Sequence, residues 1–227
     1  TSFMNRPEAC LFDLDGVLLD TEDLHSEVWS RTAMVFGTDL TQGQLTNLKG
    51  RRRLECAGLI VKWVKKTIKV KDLLKAHQPI YKELMNNIKP ISGAEELITW
   101  CYNNNIAMAL VTSSNAKSVE IKSRSHDWLK LIDTTVNGDD SNLKEGKPAP
   151  DPFILAAYKL GVNPNNCWAI EDSRSGKESA LKAGCHVWFL NTNCSKNVET
   201  NRLNNLTNTS HLKNILERLK ELNTYNA

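Results

Sequence analysis

The chain has 227 residues, of which 41% are hydrophobic, and this is enough to bury the core of one α/β domain with a small insertion. Its formal net charge is only +3 and its basic residues are dispersed, which argues against a nucleic-acid-binding protein. Six cysteines without C-x-x-C spacing predict reduced thiols and a cytoplasmic location. No apolar run approaches the roughly 18 residues that cross a bilayer, so we expect no membrane among the partners.

The first apolar run, residues 9–21, contains two aspartates. Its hydrophobic start and the glycine at Gly16 predict a buried strand that ends abruptly. Asp13 and Asp15 are separated by one residue, so their side chains lie on the same side of an extended chain. Two carboxylates this close repel each other unless a cation joins them, and Mg²⁺ is the natural cation because it prefers oxygen ligands.

Helical patterns follow this strand. Apolar residues spaced to share one face predict a helix from about Thr21 to Gly37. Further helices are predicted near residues 41–48, 52–66 and 71–87. Because no strand pattern occurs in this block, it is predicted to be a separate helical module that ends at Pro90.

Strand and helix patterns alternate from residue 106 onward, which is typical of a parallel sheet covered by helices on both faces. Buried strands are predicted at residues 106–111, 132–136, 167–170 and 185–190. The asparagine- and threonine-rich stretch after them is expected to be a loop, up to a last amphipathic helix that begins near Leu212. The prediction is therefore an α/β fold.

Polar residues follow several of these predicted strands. Thr112 comes after the second strand, and Glu171 and Asp172 come after the fourth. Because ligands bind outside the carboxyl ends of parallel strands, we expect these side chains to converge with Asp13 and Asp15 at one edge of the sheet.

Simpler explanations of the polar residues remain open on the residues alone. The hydroxyls at 112–114 and the pair Asp172-Ser173 suit helix N-caps. Lys147 suits a solvent-exposed position, because lysine is seldom buried. His25 and His77 are predicted to lie on the surface or to line the helical module, and neither is assigned as a metal ligand.

Four motifs follow one another along the chain: Phe12-Asp13-Leu14-Asp15-Gly16-Val17, Leu110-Val111-Thr112-Ser113-Ser114, Gly146-Lys147-Pro148-Ala149-Pro150-Asp151 and Ile170-Glu171-Asp172-Ser173. In this order they resemble the haloacid dehalogenase superfamily of phosphotransferases, and within it the branch of β-phosphoglucomutases and small sugar-phosphate phosphatases. The resemblance implies a Rossmann-like core domain formed by residues 1–19 and 94–227. An α-helical cap domain, residues 20–93, would be inserted directly after the first strand.

The resemblance also implies the chemical roles. Asp13 would be the nucleophile that forms an aspartyl-phosphate, and Asp15 would be the general acid and base. Mg²⁺ would be held by the Asp13 carboxylate, the Asp15 backbone carbonyl and Asp172, with Glu171 in support.

Two further groups of residues are implied to contact the substrate. Thr112, Ser113 and Lys147 would bind the phosphoryl oxygens. Lys49 and Arg53 match a cap loop that faces the substrate, where Arg53 first and Lys49 second would contact a distal anionic group, although a solvated basic turn is an equal alternative. His25 matches a cap position of β-phosphoglucomutases.

The resulting hypothesis is a Mg²⁺-dependent phosphatase that acts on a small phosphorylated sugar or related metabolite, expected to be a monomer. The alternative is a β-phosphoglucomutase, which Lys49, Arg53 and His25 favour. His77 stands where a mutase is expected to have a lysine, and residues 123–148 are similar to eukaryotic sugar- and pseudouridine-phosphate phosphatases, which favours hydrolysis. Asp15 argues against a dehalogenase or a phosphonatase, and four intact motifs argue against a binding protein without turnover.

Overall fold

The centre of the structure is a mostly parallel sheet, and the start of the first apolar run forms one of its interior strands. The computed structural model describes residues 5–191, 198–201 and 204–224. The described strands are β1 Ala9–Phe12, β2 Ala107–Val111, β3 Thr134–Val136, β4 Cys167–Glu171, β5 His186–Leu190, β6 Val198–Asn201 and β7 Leu206–Thr209. Their spatial order is β3-β2-β1-β4-β5-β7-β6, and only the outer pair of β6 and β7 is antiparallel. The predicted α/β fold with a parallel core is confirmed.

Strand β1 ends where the apolar residues stop. Ala9 pairs with Ala107 of β2 and with Cys167 of β4, so β1 has a hydrogen-bonded neighbour on each side. Beyond the strand the chain turns at Gly16, whose φ of 80° lies in the left-handed region that glycine tolerates. A Cβ at Gly16 would overlap the carboxylate of Asp172, so the turn also needs glycine for lack of space.

The prediction of a loop after the fifth strand is wrong for the segments that the structure describes there. Strand β7 pairs in parallel with β5, from Val187 opposite Leu206, and β6 adds an antiparallel edge. The inward-facing residues are Thr207 and Thr209, both buried, and Thr207 shares a 2.8 Å hydrogen bond with His186. Because these inward positions are threonines and not aliphatic residues, no hydrophobic alternation marks the strand. The rest of this stretch, residues 192–197 and 202–203, lies outside the described residues.

Helices cover both faces of the sheet. They are α5 Ala94–Asn103, α6 Ala116–Ser123, α7 Asp151–Leu160, α8 Arg174–Ala183 and α9 Leu212–Thr224. Alternation along β1 separates two apolar clusters: Cys10 and Phe12 pack with α5 and α9, while Ala9 and Leu11 pack with α7 and α8. Both faces of the sheet are therefore buried under apolar side chains, as is typical of parallel sheets.

Four helices lie between β1 and α5. They are α1 Glu22–Val35, α2 Gln42–Leu48, α3 Arg53–Trp63 and α4 Val70–Leu84, and we call them the helical insert. The insert has an apolar cluster of its own, which includes Trp29, Ile60 and Leu73. Val28 and Tyr81 instead join the cluster under the sheet, so the insert packs directly on the core. The exact division into two domains stays a prediction.

Two expectations from composition can be compared with the structure. The described cysteines are buried free thiols: Cys10, Cys56, Cys101, Cys167 and Cys185. Cys194 lies outside the described residues. None of the described helices combines the length and the apolar character needed to span a membrane.

We expect Gly176→Ala to destabilise the protein, although Gly to Ala in a helix normally stabilises by about 0.5–1 kcal/mol. A Cβ at Gly176 in α8 would overlap the buried carboxylate of Glu171, and overpacking of this kind costs about 1–3 kcal/mol. Gly58→Ala in α3 is the matched control, because a Cβ there meets no atom within 4 Å, and it should stabilise. Urea unfolding of both variants measures the difference, and equal shifts in the two would contradict the close approach.

Candidate active site

The predicted site residues do meet at the carboxyl edge of the sheet. Asp13 directly follows β1, Thr112 directly follows β2, and Glu171 is the last residue of β4, with Asp172 next to it. Because β1 lies between β2 and β4, these three strand ends are adjacent. The expected convergence is therefore what the structure shows, and it follows from the strand order.

Lys147 lies at the centre of this edge and not on the surface. Its side chain is 2% exposed, and its Nζ donates hydrogen bonds to Asp13 Oδ1 at 3.1 Å, to Glu171 Oε1 at 2.5 Å and to the Val111 carbonyl at 2.9 Å. Burial alone would lower the pKa of Lys147, but the carboxylates of Asp13 and Glu171 raise it above its ordinary value. The solvent-exposed alternative for Lys147 is wrong, since a buried charge needs partners and here it has them.

Three carboxylates form a candidate metal site beside Lys147. Asp13, Glu171 and Asp172 are buried and each offers an oxygen within 4.8 Å of the others. Burial raises the pKa of all three, that of Glu171 to about 8. Repulsion from Asp13 adds to the effect on Glu171 and Asp172, and repulsion from Asp15 adds to the effect on Asp13. Among the described residues, none donates a hydrogen bond to Glu171 Oε2. An oxygen-only donor set with an unpartnered buried atom fits a divalent cation.

Asp15 occupies a different environment. Its Oδ1 accepts from Thr21 Oγ1 at 2.6 Å and lies 3.0 Å from His25 Nε2, and its Oδ2 accepts from Ser114 Oγ at 3.0 Å. Lys122 Nζ contacts both oxygens, at 2.8 and 2.9 Å. Burial alone would raise the pKa of Asp15, but Lys122 and His25 hold it well below its usual range. The Asp15 side chain is outside the acidic cluster, and ligation through its backbone carbonyl stays a prediction.

Lys122 is the residue that the sequence analysis missed. It lies in α6 and is fully buried, whereas Lys117 in the same helix is exposed. Nothing in the sequence distinguishes these two lysines, because burial of Lys122 depends on the helical insert that packs over it. The ring of Tyr81, from α4, lies 6.0 Å from its Nζ.

The hydroxyls after β2 have roles other than capping. Thr112 Oγ1 accepts from the Ser114 backbone N–H at 3.1 Å, and Ser113 Oγ donates to the Gly50 carbonyl of the insert at 2.9 Å. The N-cap of α6 is Asn115, so the capping alternative for residues 112–114 is wrong. Ser173, by contrast, does cap α8 by accepting from the Gly176 N–H.

A cavity separates the helical insert from the carboxyl edge. Asp13, Asp15 and Asp172 line it from the sheet side, together with Ser113. The insert contributes the predicted contacts, His25, Lys49 and Arg53, and also an aromatic wall of Trp29, His77 and Tyr81. Acidic residues therefore line the sheet side of the cavity, whereas the insert side is mainly basic and aromatic, with Glu22 as an acidic member.

The three arginines of the basic triplet have different contacts. Arg53 and Arg51 both line the cavity, and Arg51 also donates to the Asn47 carbonyl at 2.8 Å. Arg52 instead pairs with Glu55 at 2.6 Å. Lys49 Nζ lies 3.3 Å from Asp172 Oδ2. Burial alone would lower the pKa of Lys49, but the Asp172 carboxylate raises it above its ordinary value. The loop therefore lies against the site, and contact of Arg53 or Lys49 with a substrate stays a prediction.

His77 lies inside the insert and not on its surface. It is 4% exposed, with its ring centroid 4.2 Å from that of Trp29 and 5.6 Å from that of Tyr81. Burial lowers the pKa of His77 to about 3, and nearby cations act in the same direction. The imidazole is therefore neutral where it lines the cavity.

Comparison with known proteins connects this geometry to a family. The sequence model of a haloacid dehalogenase-like hydrolase family matches residues 10–190. The (DL)-glycerol-3-phosphatase 1 of Arabidopsis thaliana is 28% identical over 183 residues, which cover 78% of this chain but only 61% of the relative. A phosphorylated carbohydrates phosphatase of Thermotoga maritima is 31% identical over 182 residues, which cover 78% of this chain and 82% of the relative.

The fold is also similar to that of a solved structure. The crystal structure of β-phosphoglucomutase from Clostridium difficile superimposes with a TM-score of 0.75 and covers 95% of this chain and 98% of that chain. Sequence identity in this superposition is 24%, so it concerns the fold alone.

We expect divalent metal binding at this cluster to strengthen as the pH rises. The folded protein holds a proton on Glu171 up to a pKa of about 8, against an ordinary value of 4.5, and the metal must displace it. Without metal, the stability that this proton confers is present below about pH 4.5 and is lost as the pH rises through 8.

Thermal unfolding with Mg²⁺ or Mn²⁺ added at about pH 5.5 and about pH 8 measures this coupling, with a larger stabilisation expected at the higher pH. Asp172→Asn should abolish the metal-induced shift. The exposed Asp23→Asn is the matched control and should retain it. A metal-induced shift of equal size at both pH values would contradict the assignment.

Proposed function

The chain belongs to the haloacid dehalogenase-like hydrolase family, and we propose that it is a Mg²⁺-dependent phosphatase that hydrolyses phosphomonoesters of a small sugar or related metabolite. The observation that carries the proposal is the placement of Asp13. Its carboxylate lines the cavity, receives a hydrogen bond from Lys147 and belongs to the acidic cluster with Glu171 and Asp172. A nucleophile beside a cation and a candidate metal site suits attack on phosphorus.

The first step uses Asp13 and Asp15. An Asp13 carboxylate oxygen attacks the phosphorus, the bond to the leaving oxygen breaks, and Asp15 donates a proton to that oxygen. The negative charge of a bound phosphoryl group favours the protonated form of Asp15. In the second step Asp15 takes a proton from water, the water oxygen attacks the phosphorus of the aspartyl-phosphate, and Asp13 and phosphate are released.

The other residues of the site would neutralise negative charge and orient the phosphoryl group. Asp13, Glu171 and Asp172, with the Asp15 backbone carbonyl, would hold Mg²⁺, which supplies charge neutralisation for the phosphoryl oxygens. Lys147 balances the carboxylates at the nucleophile. Thr112 and Ser113 are further proposed phosphate contacts at the end of β2.

The helical insert is proposed to be the cap domain, residues 20–93, over a core of residues 1–19 and 94–227. Its support is an apolar cluster of its own and its position over the cavity. Arg53 and Lys49 there would bind a second anionic group of the substrate, and His25 would help to order Asp15. A reducing compartment such as the cytoplasm suits the five buried thiols.

The alternative function is a β-phosphoglucomutase, which returns the phosphoryl group to a sugar instead of water. The presence of His25, Lys49 and Arg53 around the cavity supports it. The names of the two curated relatives, both phosphatases, favour hydrolysis. A panel of phosphorylated metabolites scored for phosphate release, beside β-glucose 1-phosphate scored for glucose 6-phosphate, decides between the two.

We expect Asp13→Asn to abolish the hydrolysis of p-nitrophenyl phosphate, because the amide is not a nucleophile and weakens the metal site. Removal of metal with a chelator should have the same effect, and added Mg²⁺ should reverse it. Asp127→Asn, at an exposed aspartate paired with Lys130, is the matched control and should retain activity. Full activity of Asp13→Asn would refute the assigned nucleophile.

We expect Arg53→Ala to raise KM for the best metabolite of the panel by about 10-fold or more, since a charge-assisted hydrogen bond contributes about 1.5–3 kcal/mol. KM for p-nitrophenyl phosphate, which has no second anionic group, should stay unchanged. Arg31→Ala, at an exposed arginine paired with Glu27, is the control for loss of an arginine from the insert. Equal changes for both substrates would show that Arg53 does not select the substrate.

A further inference from the structure

Lys122 is a buried cation that touches a catalytic carboxylate without lining the cavity. Its Nζ lies within 2.9 Å of both oxygens of Asp15, and its side chain is fully buried. Among the described residues that line the cavity Lys122 is absent, so it acts on a substrate only through Asp15. A lysine buried this completely is costly unless it is paired, and its pair is the proposed acid and base.

The contacts of Asp15 differ in what they restrain. Thr21 and His25 contact only Oδ1, and Ser114 contacts only Oδ2. In the described part of the chain, Lys122 is the one group that bridges the two oxygens. The terminal torsion of an aspartate is broad, so a contact to one oxygen restrains the carboxylate plane less than a donor that contacts both.

Lys122 is itself held from three directions. Its Nζ donates to Ser114 Oγ at 2.8 Å and lies 3.1 Å from His25 Nε2 of α1. The Tyr81 ring of α4 lies above it, and the Tyr81 hydroxyl shares a short hydrogen bond with Ser118 Oγ, one turn before Lys122 in α6. The ammonium therefore joins the sheet edge, the core helix and the helical insert at one point.

We propose that Lys122 is a positioning residue that fixes the plane of the Asp15 carboxylate so that one oxygen faces the leaving oxygen of the substrate. The inference rests on the proposed function, because it takes Asp15 as the acid of the first step. Its consequence is specific: loss of Lys122 impairs protonation of the leaving group more than it impairs binding or attack. A purely structural role would reduce turnover of all phosphomonoesters alike.

The test compares aryl phosphates of nearly equal shape whose phenols differ in acidity, from p-nitrophenyl to phenyl phosphate. The constant kcat/KM covers the steps up to departure of the leaving group, so its dependence on phenol acidity reports the acid. For Lys122→Met we expect kcat/KM to fall by about 10-fold for p-nitrophenyl phosphate and by about 100-fold or more for phenyl phosphate. These losses are part of the roughly 10²–10⁴-fold acceleration that a general acid typically contributes. Asp15→Asn should show the same steepened dependence.

Three further variants complete the experiment. Lys122→Met combined with Asp15→Asn should be no slower than Asp15→Asn alone, and this pair leaves no unpaired buried charge if Lys122→Met by itself fails to fold. Lys117→Met removes an exposed lysine from the same helix, and Lys159→Met breaks another lysine–aspartate pair, to Asp140 at 2.6 Å. Both controls should keep the dependence of the wild-type enzyme.

The outcomes distinguish failure of the positioning role of Lys122 from failure of the proposed phosphatase function. An unchanged dependence in Lys122→Met, or a double variant that loses the product of the two single effects, would overturn the positioning role. If the wild-type enzyme hydrolyses no phosphomonoester, or if Asp15→Asn leaves the dependence unchanged, the proposed function fails instead. A steepened dependence in Lys122→Met with an equal double variant supports the role.

Discussion

The buried ammonium of Lys147 is the interaction on which the whole carboxyl edge depends. Asp13, Glu171 and Asp172 lie within a few ångströms of one another in a region shielded from water, where like charges repel strongly. Lys147 contacts two of these carboxylates and also the Val111 carbonyl, so it compensates charge and ties its loop to β2. One cation balances only part of the cluster, and the remaining negative charge is what makes the cluster suitable for a divalent metal.

Asp13 and Asp15, separated by one residue, lie in surroundings of opposite charge. Asp13 lies beside Glu171 and Asp172, and burial raises its pKa although Lys147 acts in the opposite direction. Asp15 faces Lys122 and His25, which lower its pKa against the effect of burial. Titratable pairs whose surroundings push their pKa values apart are typical of sites where the two groups have different tasks. The separate roles proposed for the two residues thus have a physical basis in their neighbours and not in their own chemistry.

The strand order places one short segment both at the acidic cluster and at the start of the helical insert. Strand β1 lies between β2 and β4, so the residues that follow it are surrounded by the ends of both neighbours. The chain then leaves for the helical insert at Thr21, whose hydroxyl donates to Asp15. Return of the chain near Pro90, which bridges to Leu19, places the insert over the same edge. The segment that carries Asp15 thereby also connects the sheet to the insert.

The sequence by itself determined the strands of the core, the helical block and the convergence of Asp13, Asp15, Glu171 and Asp172, because apolar runs that end in polar residues identify the carboxyl ends of parallel strands. Its resemblance to a known family added Lys147. Only the tertiary structure decided which basic residues are buried: Lys122 and Lys117 share one helix, yet one is enclosed by the insert and the other faces solvent. It also decided the division of the arginine triplet and the threonine-lined strand β7. Burial and pairing are properties of what packs against a residue, and that information is distributed over distant parts of the chain.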